Sequence, residues 1–162
     1  MEPRKDQELL FDTFKKIHKH DKKLKLVFVG RQGWSNERFI TKLTQDELFN
    51  RNVFWLKDVD DYDLEKLYKK SFLNVYLSKH EGYGLPVAEA LKYNRPIITS
   101  RNSSMYEVGL DFADYVQFGS ENELESMIRL YSNKSFYKNK VNKIKKLLEL
   151  MSPEIFVVKD LY

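Results

Sequence analysis

Short apolar runs alternate along the chain with longer amphipathic stretches. The apolar runs are rich in β-branched and aromatic residues, and they predict five strands, at 24–29, 52–56, 72–77, 95–99 and 114–118. Helical periodicity predicts six helices, at 6–20, 36–50, 60–70, 86–93, 121–131 and 134–150. Apolar strands that alternate with helices are typical of a parallel sheet covered on both faces. We therefore predict an α/β fold, a Rossmann-like doubly wound parallel sheet with C-terminal helices.

The polar and glycine-bearing segments follow the predicted strands. They read GRQGW at 30–34, KDVDD at 57–61, SKHEGYG at 78–84 and SRNSS at 100–104. In doubly wound sheets, ligands bind outside the carboxyl ends of the strands. These four loops therefore predict a cleft along one rim of the sheet.

The glycine loop within SKHEGYGLP is the most informative of the four. Glycine at Gly82 and Gly84 permits positive φ angles and a close approach of bare N–H groups to a ligand. Pro86 suits the first position of a helix, so the helix N-terminus would point at the cleft. This geometry favours an anion or a polyhydroxyl ligand. Simple punctuation between a strand and a helix is the alternative interpretation.

Two glutamates flank this loop. Glu89 would lie about one turn into the helix, where a carboxylate can accept hydrogen bonds from a vicinal diol such as ribose. Glu81 precedes the turn and is placed to hold a second hydroxylated group. A glutamate near a helix start can instead interact with the helix dipole, so the two glutamates do not by themselves define a site.

Composition limits the class of protein. The 162 residues suit a single domain, and 42% hydrophobic with 32% charged residues excludes a disordered chain. No cysteine is present, which excludes disulfides and thiolate zinc sites. The longest apolar runs are too short to span a bilayer. The net charge of +4 is concentrated in lysine clusters at 15–25 and 138–146, which we interpret as the solvated faces of amphipathic helices.

Taken in order, these features resemble the retaining nucleotide-sugar glycosyltransferases of the GT-B fold, the "group 1" family. The resemblance covers nearly the whole chain and corresponds to the C-terminal, donor-binding half of those enzymes. Its most specific element is a pair of glutamates separated by seven residues, Glu81 and Glu89 in EGYGLPVAEAL. Around it, LVFVGRQGW, VFWLKDVDDYDLEKLYKKS and RPIITSRNSSMYEV stand in the family's order.

The resemblance implies a role for each site residue. Glu81 would contact the donor sugar and is the catalytic candidate, while Glu89 would contact the ribose hydroxyls. Lys5, in EPRKDQELLFDTFKKI, matches the lysine that binds the donor diphosphate. Sugar hydroxyls and phosphate would meet the backbone of four loop residues, Gly82, Tyr83, Gly84 and Leu85. Gly30 and Val59 would border the base. Neither a metal nor another cofactor is implied.

The chain also departs from the family's pattern. The family's first strand and its phosphate-binding arginine would stand before the first residue, and Arg4 does not match that arginine. Asp6 follows Lys5 where relatives often have glycine or asparagine, and an acid there would weaken phosphate binding. SPEIFVVKDLY replaces a tryptophan-bearing helix. We therefore expect one nucleotide-sugar-binding domain, 1–162, that lacks the N-terminal acceptor domain and the first strand.

The function implied by the resemblance is transfer of a hexose from a nucleoside diphosphate sugar to a glycan or lipid, in surface polysaccharide biosynthesis. The partners are the donor and the N-terminal acceptor-binding domain, in the cytoplasm, with peripheral membrane contact through the full enzyme. The isolated chain is expected to be inactive. The alternative is a non-catalytic nucleotide-sugar-binding or partner module of the same fold. Nucleic-acid binding ranks last, because aromatic residues are not interleaved with the lysines.

Two further rim residues have weaker interpretations. His80 precedes Glu81, where we expect a local hydrogen-bonding role rather than catalysis. Trp34 follows a glycine turn and is interpreted as a packed aromatic rather than as part of the cleft.

Overall fold

The computed structural model describes residues 2–80, 82–101 and 103–150. Five strands lie within them: β1 (Leu26–Val29), β2 (Val53–Leu56), β3 (Asn74–Tyr76), β4 (Ile97–Ser100) and β5 (Asp114–Val116). After a 3₁₀ turn at Pro3–Lys5, the helices are α1 (Gln7–His18), α2 (Glu37–Thr44), α3 (Asp61–Lys70), α4 (Leu85–Lys92), α5 (Ser103–Gly109), α6 (Glu121–Tyr131) and α7 (Lys134–Leu150). The predicted α/β alternation is confirmed.

All the strand pairs in the described ranges are parallel, as predicted. β1 pairs with β2, with Leu26 opposite Val53. β3, β4 and β5 pair in that order, with Asn74 opposite Ile97 and Ile98 opposite Asp114. In the described part of the chain the strands therefore form two parallel sheets, of two and three strands, rather than one continuous ladder.

Two hydrophobic clusters cover the sheets. Phe28 of β1 and Ile98 of β4 belong to one cluster, which includes helices α1, α2 and α6 and so spans both sheets. Ile97 belongs to the other cluster, with α4, α5 and α7. Ile97 and Ile98 divide in this way because consecutive side chains of a strand point to opposite faces. The three-stranded sheet is therefore covered on both faces, as predicted.

The β1–β2 sheet differs from the prediction, because among the described residues only one of its faces is well covered. Phe28 and Val53 are buried, but Val27, Val29 and Leu56 are each about 40% exposed. Val29 lies opposite Leu56 in the ladder, so these exposed side chains share the second face. The apolar run LVFV predicted two buried faces. Such a run does not specify what packs on each face, so the prediction was wrong for one of them.

The lysine cluster at 138–146 lies on the amphipathic helix α7, as predicted, but the cluster at 15–25 only begins on α1, which ends at His18. Phe14 and Ile17 of α1 and Ile144 of α7 are buried. Three other predictions were wrong in detail. α2 ends at Thr44 instead of continuing to 50, helix α5 was not predicted, and Trp34 is 65% exposed rather than packed. No helix in the described ranges is both long enough and apolar enough to cross a membrane.

Local capping explains where some of the helices begin. The Asp60 carboxylate accepts a 2.8 Å hydrogen bond from the N–H of Asp63, which satisfies a backbone donor at the start of α3. Ser120 does the same for the N–H of Glu123 in α6, at 3.4 Å. The Asp60 cap therefore fixes the start of α3 directly after the loop that follows β2.

Candidate functional site

Gly84 ends the loop after β3 and caps α4. Its φ angle is +78°, in the left-handed region that favours glycine. A Cβ atom added there would lie 3.1 Å from the Met105 sulfur, so the absent side chain also lets α4 pack closely on α5. The predicted positive φ at Gly84 is confirmed. Pro86 is the second helical residue rather than the first, because α4 begins at Leu85.

The rest of this loop faces solvent. Gly82 is exposed, a Cβ added to it would meet open space, and the Tyr83 and Leu85 side chains are each half exposed. Backbone groups of such a loop are accessible to a ligand, and the N-terminus of α4 directly follows them. Glu81, the catalytic candidate, lies outside the described residues.

Glu89 lies half-buried in the second turn of α4. Its Oε2 accepts a 2.8 Å hydrogen bond from the Tyr68 hydroxyl of α3. Burial raises the pKa of Tyr68 far above its usual value, and the adjacent carboxylate raises it further, so this hydroxyl stays protonated. Glu89 does not lie in the first turn, so the helix-dipole interpretation loses most of its support.

The start of the chain lies against the loop that follows β3. The Lys79 N–H donates to the Arg4 carbonyl at 2.9 Å, and the Arg4 guanidinium donates to the His80 carbonyl at 2.8 Å. Lys5 follows, with its Nζ 5.3 Å from the ring centroid of Tyr76, the last residue of β3. The structure therefore places Lys5 at the carboxyl end of the three-stranded sheet, where the loop before α4 also begins. For His80, the described interaction is through its backbone.

Asp6 is half-buried at the N-cap of α1, with a φ angle of +46°. Burial raises the pKa of its carboxyl group above the usual range, while the nearby backbone of Gly119 and Leu9 opposes the shift. An acid next to Lys5 is therefore partly shielded from water. It is also easier to neutralise than a free aspartate.

The two base-bordering candidates lie at the end of the other sheet. Gly30 directly follows β1 with a φ angle of +122°, and its N–H donates to the Leu56 carbonyl at 2.9 Å. Its carbonyl accepts a 2.7 Å hydrogen bond from the Trp55 indole. Val59 is half-buried between β2 and α3. The predicted residues that the structure describes thus form two groups, one near the carboxyl end of each sheet.

Sequence reasoning missed Tyr68. It lies in the eighth position of the amphipathic helix α3, where an aromatic residue is most simply interpreted as part of the core. Its hydrogen bond joins residues 21 positions apart on different helices. No local signal reports such a contact, because the spacing of α3 and α4 is set by tertiary packing.

Solved structures define the class to which this fold belongs. It matches the C-terminal domain of LpcC, a group 1 family glycosyl transferase from Francisella tularensis, with a TM-score of 0.79 at 16% identity, over 92% of this chain and 80% of that chain. It also matches HepE from Anabaena, solved in complex with UDP-glucose, with a TM-score of 0.70 at 15% identity, over 93% and 47% of the two chains. The fold is that of the C-terminal domain of a GT-B glycosyltransferase.

The family follows from the sequence. The model of the family described as "Glycosyl transferases group 1" matches residues 1–147, and the chain belongs to this family. A curated relative, the serotype-specific mannosyltransferase WbdA of Escherichia coli, is 32% identical over 115 residues, 71% of this chain. That match covers 14% of WbdA, so this chain spans only a small part of the relative.

Proposed function

We propose that the chain binds a nucleoside diphosphate sugar and forms the donor half of a retaining hexosyltransferase in surface polysaccharide biosynthesis. The observation that carries this proposal is that three features lie at or follow the carboxyl end of β3. They are the lysine at Lys5, the exposed loop that leads into α4, and the half-buried carboxylate of Glu89. Together they offer a cation, backbone donors and a diol acceptor to one ligand.

The relatives support the choice of ligand. HepE was solved with UDP-glucose, and WbdA is a mannosyltransferase. We therefore favour a glucose or mannose donor carried by uridine or guanosine diphosphate. Transfer to a glycan or lipid is proposed from the family resemblance, with the enzyme acting in the cytoplasm at the inner face of the membrane.

The proposed reaction keeps the configuration at the anomeric carbon. The bond from that carbon to the diphosphate oxygen breaks, and a bond to the acceptor oxygen forms on the same face of the sugar. The acceptor proton passes to the departing phosphate. In this scheme Lys5, the loop N–H groups and the α4 dipole stabilise the charge that develops on the diphosphate.

Donor binding is proposed to need no metal ion. Among the acidic residues of the loop after β2, Asp58 forms a 2.8 Å ion pair with Arg31, and Asp60 caps α3. These interactions already engage both carboxylates. The phosphate contacts can come instead from Lys5 and from backbone donors.

The test is a titration of the chain with uridine, guanosine and adenosine diphosphates and their sugars, followed by calorimetry and amide NMR. One diphosphate should bind with a Kd on the order of 0.1–1 mM, about 4–5.5 kcal/mol, because the site is an open surface. Shifts should concentrate at 82–89 and near Lys5, and EDTA should leave the affinity unchanged. Shifts confined to the lysine faces of α1 and α7 would contradict the proposal.

A non-catalytic binding or partner module is the second candidate. Two observations favour it: Asp6 lies next to Lys5, and the Arg4 guanidinium is bonded to a loop carbonyl. Such a module would bind the plain nucleoside diphosphate as well as the sugar donor. It would also transfer no sugar when supplied with an acceptor domain.

A further inference from the structure

Tyr68 and Glu89 are joined by a hydrogen bond between two helices. The hydroxyl of Tyr68 donates to Oε2 of Glu89 at 2.8 Å. Tyr68 belongs to α3, which follows the second strand, whereas Glu89 belongs to α4, which follows the third. The bond therefore connects the helix that follows the base candidates Gly30 and Val59 with the helix that carries the ribose candidate Glu89.

The Tyr68 side chain has little freedom to move. It packs against the hydrophobic cluster that contains Val87 and Leu91, and its ring stacks on Tyr93 with centroids 5.7 Å apart. Tyrosine has only two side-chain torsions, so fixing it costs little entropy. Since its hydroxyl remains protonated, it is a permanent donor to Glu89.

A glutamate without a partner would sample several rotamers at a half-buried position, and a diol would have to select one of them. The bond from Tyr68 removes that freedom by holding Oε2. An ionised carboxylate has about four acceptor positions, so Oε1 keeps its capacity for further hydrogen bonds.

We propose that Tyr68 is a positioning residue. It fixes the Glu89 carboxylate in one orientation, with Oε1 available to the vicinal diol of the ribose. The inference rests on the proposed function, because it needs a nucleotide at this site. It adds a residue that acts through Glu89 and does not itself contact the ligand.

The experiment compares Tyr68→Phe with Tyr93→Phe. Both changes remove one hydroxyl from the same aromatic pair, but in the described hydrogen bonds it is the Tyr68 hydroxyl that donates to Glu89. The probes are UDP and GDP and their 2′,3′-dideoxy forms, titrated by calorimetry. Tyr68→Phe should weaken binding of the natural nucleotide by about fivefold, the effect of one hydrogen bond, and change the dideoxy affinity less than twofold. Tyr93→Phe should change both affinities less than twofold.

A ligand-independent measurement accompanies the titration. Three-bond NMR couplings about χ1 of Glu89 should report one rotamer in the wild-type chain and averaging in Tyr68→Phe. In a Glu89→Ala background, Tyr68→Phe should no longer affect the natural nucleotide selectively, because its target is gone.

The outcomes separate the two proposals. If the wild-type chain binds neither natural nucleotide, the proposed function fails and the role of Tyr68 fails with it. If the wild type binds and Tyr68→Phe weakens binding of the natural and dideoxy nucleotides equally, the positioning role is wrong while nucleotide binding stands. The same holds if Tyr68→Phe changes neither affinity. A single Glu89 rotamer in Tyr68→Phe would also overturn the positioning role.

Discussion

The backbone amide of Lys79 donates a 2.9 Å hydrogen bond to the carbonyl of Arg4, which ties the start of the chain to the loop after β3. A second bond, from the Arg4 guanidinium to the His80 carbonyl, reinforces the tie. Backbone position is therefore fixed on one side of Lys5, and α1 begins just after it. The lysine is presented at the rim by contacts of the neighbouring Arg4, so its own side chain can be changed with little effect on the fold.

This placement predicts the effect of Lys5→Gln. The affinity for a nucleoside diphosphate should fall about tenfold, because a charge-assisted hydrogen bond to phosphate is lost. Binding of the corresponding nucleoside, which has no phosphate, should not change. Lys19→Gln, at an exposed position just after α1, is the matched control and should have no effect in calorimetry. Equal losses for both lysine variants would indicate diffuse charge attraction rather than a site.

Glu89→Gln tests the ribose contact. We expect a loss of about 1–3 kcal/mol in binding of the nucleoside diphosphate, since a charged acceptor becomes a neutral one. The 2′,3′-dideoxy nucleotide should be nearly insensitive to the change. Glu107→Gln, on the exposed part of α5, serves as the control. Equal losses for the two ligands would mean that Glu89 acts through the helix and does not contact the diol.

Gly84→Ala tests the packing of α4 on α5, and Gly119→Ala is its matched control. The φ angles are nearly the same, +78° and +79°, but a Cβ at Gly119 meets open space. Gly119→Ala should therefore cost about 1–2 kcal/mol of unfolding free energy, from the left-handed conformation only. Gly84→Ala should cost about 1 kcal/mol more, because the buried Met105 sulfur must move. Urea denaturation measures both, and identical losses would show that the Met105 contact is unimportant.

Asp6→Asn should change stability in a pH-dependent way. The pKa of Asp6 is raised in the folded protein, so the folded state holds the proton more tightly than the unfolded state. Stability from this group is present at low pH and is lost as pH rises through the folded pKa. The variant should therefore be more stable than wild type at pH 7 and equal to it below the usual value of 3.8. Denaturation at several pH values measures this, and a variant less stable at pH 7 would contradict it.

A substitution at Glu81 distinguishes a catalytic domain from a non-catalytic binding module. The chain by itself should not transfer sugar at a useful rate, because the acceptor must be oriented by another domain. Supplied with an acceptor domain of the family, it should transfer sugar with retained configuration. Glu81→Ala should then lower kcat far more than it weakens binding of the plain nucleoside diphosphate, with Glu107→Ala as the control. Full turnover in Glu81→Ala, or no transfer with any donor that binds, would favour the binding module.

Local patterns in the sequence determined the order of strands and helices and the placement of polar loops directly after strands. Periodicity is a local property, so α1, α3, α6 and α7 were predicted within about two residues. The left-handed conformation of Gly84 was predictable for the same reason, since glycine adopts a positive φ angle more readily than any other residue. The spacing of Glu81 and Glu89 is also a feature of the chain itself, but it predicted a site only through the resemblance to the family.

Tertiary structure alone decided the features that join distant segments. The short helix α5 has no clear apolar period, and its buried Met105 packs beneath Gly84. Exposure of Val27 and Trp34 depends on what covers them, which an apolar residue type does not specify. The bond between Tyr68 and Glu89 exists because packing brings α3 to α4 at hydrogen-bond distance. Such contacts depend on the relative position of whole elements to within a fraction of an ångström, and that position follows from the packing of the entire core.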